Sequence, residues 1–215
     1  MPETTVVFGA VAAVVAAPAY VFYIRGIRRG NTVPNLATWV IWSVVGPVIF
    51  ASYVVTGARD SAMTALVYAV GPPVVLAFLC KRGIVRFDTK DKLFLVASVI
   101  GFALWIIFRN SMIALYINII VDVGAAIPTI MDAWHTPELE DKTTWVFSTV
   151  ATIINLFAVE HWVNPKLWVY PSTWIQRDFA VCLYPVVVLL MCATIMTLTF
   201  MRPDSRIKNL SVASS

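Results

Sequence analysis

The chain has 215 residues, of which 60% are hydrophobic and 13% charged, with a formal net charge of +4 and a mean hydropathy of +0.81. Water-soluble domains carry about 25% charged residues, so this composition leaves too little polar surface to coat a soluble globule. The lipid bilayer is the solvent it fits, and the small positive balance points to membrane orientation rather than to nucleic acid.

A spanning helix needs about 20 mostly apolar residues. Seven such runs follow one another: Thr5–Ile24, Pro34–Val55, Ser61–Cys80, Lys92–Phe108, Ser111–Met131, Thr143–Val159 and Phe179–Met201. The first begins at an acidic start, Met1 to Thr5, and is longer than the apolar core of a signal peptide, so it reads as a span. Arg25–Asn31 breaks it from the second, Lys81-Arg82-Gly83 ends the third, and His135–Lys142 parts the fifth from the sixth. Between the fourth and fifth only Arg109-Asn110 intervenes. A tight turn is expected there, because one unbroken helix of about 40 residues would exceed the bilayer thickness.

With the N-terminus on one side, the opposite side collects Arg25, Arg28, Arg29, Lys81, Arg82, Arg86, Lys90, Lys92, Lys142, Arg202, Arg206 and Lys208. The N-terminal side holds only Arg59, Arg109, Lys166 and Arg177. The excess of basic residues marks the cytoplasmic face, so the expectation is a cell-membrane protein with its N-terminus outside and its C-terminus inside. The aromatic stretch His161–Trp174 then lies on the outer face as an interfacial anchor.

An internal repeat is legible. Thr38-Trp39-Val40-Ile41-Trp42 in the second span matches Thr144-Trp145-Val146-Phe147-Ser148 in the sixth. The run from Pro73 to Cys80 matches that from Pro185 to Cys192, and Pro18 matches Pro128. These matches keep their order at a near-constant offset, so spans one to three overlie spans five to seven. Three is odd, and a single linker span restores the direction. The expected fold class is therefore all-α transmembrane, seven helices in a 3+1+3 plan of two parallel three-helix repeats about an axis along the membrane normal. The boundaries are 1–80 for the first repeat, 81–110 for a cytoplasmic loop and linker helix, 111–201 for the second repeat, and 202–215 for a cytoplasmic tail.

On these residues the chain resembles the PQ-loop/SWEET superfamily, over essentially its whole length. The resemblance is carried by Pro18 with the following Arg25–Asn35 loop and Trp39, by Asp122–Ile130, by Pro137–Glu140, and by Trp145. The run Asn31–Trp42 is similar to that of an uncharacterised bacterial branch. Ala19 and Thr129 stand where the glutamine of the Pro-Gln dipeptide would be, and Ile153 stands where the repeat would place a partner for Pro47. The resemblance implies export or exchange of small molecules such as sugars or amino acids, or, in other members, binding of cargo peptides.

Ionisable groups inside a membrane are costly, about 2.5–3.5 kcal/mol for Asp at a helix centre on insertion scales, and so mark candidate sites. Asp122 lies in mid-span, with Asn118 and Thr129 on the same helical face. Thr152 and Asn155 continue a polar stripe from Ser148 in the sixth span, and Trp42 is placed to stack on a ligand ring. The expected substrate-binding set is Asp122, Asn118, Asn155, Trp42 and Thr152. Trp39 and Trp145 read as interfacial anchors, and Glu138, Glu140 and Asp141 as a solvated acidic helix start. Pro18, Pro47, Pro73, Pro128 and Pro185 lie within spans and could act as hinges.

Cys80, Cys182 and Cys192 lie in apolar runs, and no metal-ligand spacing, cofactor motif or nucleophile–base pair accompanies them. An enzyme is not expected. The lysines all sit in loops or at span ends, which speaks against a retinal Schiff base. The leading expectation is a facilitator or proton-coupled transporter of a small polar solute working by alternating access, with the bilayer and the solute as partners, no nucleic acid, and room for a homo-oligomer. The alternative is a ligand- or cargo-binding receptor of the same fold that does not transport.

Overall fold

The computed structural model describes residues 2–56, 59–83, 111–159 and 179–201, together with 96 and 103. Among these residues the chain is all helical. The helices are α1 (Pro2–Arg29), α2 (Leu36–Thr56), α3 (Arg59–Lys81), α4 (Ser111–His135), α5 (Lys142–Leu156) and α6 (Phe179–Met201), with a 3-10 turn at Pro137–Leu139 before α5. Five of them, all but α5, are long and apolar enough to cross a membrane, which fits an integral membrane protein. The fourth expected span (Lys92–Phe108), the Arg109-Asn110 turn, the His161–Trp174 stretch and the tail 202–215 lie outside the described residues.

The first break falls later than the sequence suggests. α1 continues through Arg25, Arg28 and Arg29. It ends where Gly30 turns to φ +73. There Gly30 N–H donates to Ile27 O and Asn31 N–H to Gly26 O, each at 3.1 Å. This is the paired closure that a left-handed glycine permits at a helix C-terminus, and charge alone does not stop a helix. α2 and α5 start alike. Asn35 Oδ1 accepts from Thr38 N–H, and Asp141 Oδ1 accepts from Thr144 N–H at 2.7 Å. Both caps satisfy amides that a helix start otherwise leaves open.

Apolar side chains cover much of the exterior, and the apolar core also encloses many polar groups. Val14 and Val55 are more than two-thirds exposed, and Val7, Val70 and Leu190 also face outward. Thr5, Thr38, Thr64, Asn118, Asp122, Thr129, Thr152 and Asn155 are buried. Lipid imposes this arrangement, since it cannot hydrogen-bond a side chain while a neighbouring helix can.

The helices close into a ring. α3 packs against both α1 and α2, α6 packs against both α4 and α5, and the two triplets meet through α1 against α5 and α2 against α4. Exchanging each helix of one triplet for its counterpart in the other leaves this pattern unchanged. α1 and α4 run in the same direction. The segments that follow them meet at one end of the ring, where Val33 N–H donates to Leu139 O at 2.9 Å and Asn35 Nδ2 donates to Asp132 Oδ2 at 3.1 Å. The end of α3 lies at this same end, with Val75 and Leu79 packed against Tyr23, Ile27 and Trp39. Leu115 near the start of α4 lies at the other, among Tyr53, Ala62 and Tyr184.

The α2–α4 seam is pinned by polar bonds. Thr38 Oγ1 donates to Ala125 O at 2.7 Å and accepts from Thr129 Oγ1 at 3.0 Å, both bonds buried. Thr38→Val keeps the shape but removes the bond to the Ala125 carbonyl and takes the buried Thr129 hydroxyl's partner away. A loss of about 1–3 kcal/mol is expected, read as a lowered thermal midpoint in detergent. Thr129→Val, which leaves the Thr38–Ala125 bond in place, should cost less.

Candidate functional site

A cavity of about 60 Å3 lies inside the ring, walled by both triplets. From the first triplet come Tyr20 on α1, Trp39 and Trp42 on α2, and Tyr68 and Pro72 on α3. From the second come Asp122 on α4, Thr144, Trp145 and Ser148 on α5, and Tyr184 and Cys192 on α6. Sites for drug-sized ligands run to about 300 Å3 or more, so a solute of sugar size requires the walls to part.

Of the five expected binding residues, the structure brings two to this cavity. Asp122 lines it and is buried. Trp42 stands opposite, its indole N–H donating to the Asp122 carbonyl at 3.3 Å. The other three are buried but do not line it. Asn118 lies one turn from Asp122, toward the start of α4. The Thr152 hydroxyl is turned onto its own helix, at 2.9 Å from both Ser148 O and Thr149 O. That geometry is common for threonine in apolar helices and removes it from ligand reach. Asn155 sits two turns beyond Ser148, with a buried Oδ1 that accepts no hydrogen bond. Ser148, the head of the same stripe, is the one that reaches the cavity.

The expected hinges Pro18, Pro47, Pro73, Pro128 and Pro185 all lie inside continuous helices. It is Pro72, however, and not Pro73 that lines the cavity.

Three tyrosines that sequence reading passed over form much of the wall. Tyr20 lies against Gly71, where any side chain would collide with its ring. Tyr68 hydroxyl donates to Ser148 O at 3.4 Å, joining α3 to α5. Tyr184 packs edge-on to Tyr53 with ring centroids 5.4 Å apart. The one signal pointing to Tyr20 was its place two residues after Pro18. Nothing in the sequence distinguished the other two from packing residues.

Two expectations are overturned at the end of the ring where α1 and α4 finish. Trp39 and Trp145 are not interfacial anchors; both are buried. Trp39 donates its indole N–H to Tyr23 hydroxyl at 3.3 Å and packs edge-on to Trp42 at 5.6 Å. Trp42 in turn meets Trp145 at 6.5 Å. The threonines that precede these tryptophans explain the inward turn. Thr38 and Thr144 each bond a carbonyl of the facing triplet, Ala125 O and Ala19 O, and so carry the next residue into the seam. Glu140 is not solvated either. It is 5% exposed, and its Oε2 accepts from Trp145 Nε1 at 2.9 Å. Burial raises its pKa from the ordinary 4.5 to about 8, against the opposing pull of the Trp145 and Tyr23 hydrogen bonds and with the help of Asp132 and Asp141. Asp141 caps α5.

Among the described residues no cluster of three or more His, Cys, Asp or Glu side chains is arranged to hold a metal. No family model, no curated protein and no solved structure matches the chain.

Proposed function

We propose that this chain is a transporter of a small polar solute, built as seven helices in two parallel three-helix repeats, and that it works by alternating access between them. The observation that carries the reading is the central cavity. It lies where the two triplets meet, takes its wall from both, and holds a carboxyl group opposite an indole at mid-bundle depth. A rocking of one triplet against the other changes this space and its access together. Asp122, Ser148 and the tyrosine hydroxyls supply the polar contacts, and Trp42 supplies an apolar face for a ring. The resemblance to the PQ-loop/SWEET superfamily supports the same assignment. The basic residues at the ends of α1 and α3 favour the cytoplasmic side for that end of the ring.

The test is flux into proteoliposomes against a panel of sugars, amino acids and their small polar relatives. Uptake of at least one solute, reduced when the cavity is narrowed by Ser148→Phe, is the expected result. A solute that binds but never crosses would assign the chain instead as a receptor of the same architecture.

A further inference from the structure

A second cavity, of about 220 Å3, opens at the end where α1 and α4 finish. It is lined by Asn31, Thr32, Glu138, Glu140, Asp141 and Lys142, among others. Two of its oxygens are unusual. Glu140 Oε1 and Thr32 Oγ1 are both buried, and neither has a hydrogen-bond partner in the protein. A buried acceptor without a partner costs about 1–3 kcal/mol, more when charged. A proton on Glu140 removes that charge and turns one oxygen into a donor.

The other carboxylate oxygen has a partner. It holds the indole N–H of Trp145, whose ring is part of the wall of the central cavity. Glu140 therefore lines the mouth cavity while its Oε2 holds Trp145 of the aromatic partition formed by Trp39, Trp42 and Trp145.

We propose that Glu140 is a proton-binding site, and that closing the aromatic partition over the central cavity loads it with a proton taken from the mouth. The proposal rests on the transport reading above and names its coupling ion. As the partition closes, Glu140 takes up a proton from mouth water, and the neutral carboxyl is then buried. With the partition open, the hydrated carboxyl returns to ordinary acidity and releases the proton to water. Acid therefore favours the closed end, and alkali the open one.

The groups around Glu140 agree with this sign. Tyr23 on α1 and Thr32 in the α1–α2 loop are neutral. Asp132 on α4, Glu138 in the 3-10 turn and Asp141 on α5 are acidic, and Asp132 and Asp141 both oppose a charge on Glu140. α6 contributes Thr199. The cation of the cavity, Lys142, holds its ammonium over the Phe200 ring at 5.4 Å. Burial drives the carboxyl in the same direction.

Cys192 on the central cavity is a built-in reporter. In a Cys80→Ser, Cys182→Ser background in lipid nanodiscs, Cys192 is labelled with a charged methanethiosulfonate from about pH 6 to about pH 9, and the rate is divided by that of the same protein carrying Glu140→Gln, which cancels the ionisation of the thiol itself. The ratio is expected to rise at least about threefold as Glu140 deprotonates. A ratio that does not change with pH overturns the proposal.

Trp145→Phe removes a hydrogen bond that favours the charged carboxylate, so the transition in labelling should move to higher pH. An unmoved midpoint also overturns it, including in the case where Glu140→Gln does not fold. No solute enters either assay. A pH response without any solute flux would leave the proton site standing and sink the transport reading, and flux with a flat ratio would do the reverse.

Discussion

Asp122→Asn is expected to lower solute flux about tenfold or more while leaving the protein folded. The carboxyl lines the central cavity from mid-α4, and its own backbone carbonyl is tied to Trp42 on the facing triplet. Its position is therefore fixed by the α2–α4 seam and not by its side chain. Asparagine has nearly the same shape, so the wall should keep its form. What is lost is a charge-capable acceptor, and a hydrogen bond to a charged group is worth about 1.5–3 kcal/mol, or roughly 10- to 150-fold in affinity. The measurement is initial uptake in proteoliposomes beside the thermal midpoint of the same preparation. Flux at the parental rate would remove Asp122 from the site.

The second large effect concerns pH. Glu140 holds its proton up to about pH 8 in the folded protein, against an ordinary value of 4.5. Between these values the folded state binds a proton that the unfolded state has released. Stability is therefore full below about pH 4.5, falls as pH rises, and levels off above about 8. Each pH unit in that window is worth about 1.4 kcal/mol, so the whole fall is on the order of 5 kcal/mol. Glu140→Gln lacks the titrating group and should be flat over the window and more stable than the parent at its alkaline end. Denaturation midpoints in mild detergent at several pH values check this. Parallel curves for the two proteins would show that the carboxyl is hydrated and not buried.

Both effects depend on features that differ in how plainly the sequence displays them. The apolar runs at Pro34–Val55, Ser61–Cys80 and Phe179–Met201 differ from α2, α3 and α6 by no more than two residues at either end. The reason is simple: in lipid a span is defined by where charge and proline-glycine punctuation interrupt hydropathy. Asp122 stood out for a related reason, as an ionisable group in a long apolar stretch. Its companions did not. Tyr20, Tyr68 and Tyr184 resemble ordinary packing aromatics in a chain with seven tyrosines. Their common wall exists only because α1, α3 and α6 converge.

The tryptophans and Glu140 mark the limit more sharply. Near a span end, a tryptophan meets the same one-dimensional surroundings whether it anchors at the headgroups or turns inward, and an acidic loop reads as wet by default. What turned Trp39 and Trp145 inward was the pair of threonine bonds across the seam, from Thr38 to Ala125 and from Thr144 to Ala19. What buried Glu140 was the meeting of the two inter-helix loops, tied by the Val33–Leu139 backbone bond.

The sequence by itself displayed an apolar chain suited to lipid, five long apolar helices and one carboxyl buried among them, because each follows from transfer energies that act residue by residue along the chain. The tertiary structure alone decided which polar groups share a cavity and which acid is dry. Those outcomes depend on distances between helices far apart in sequence, and hydropathy carries no term for such distances.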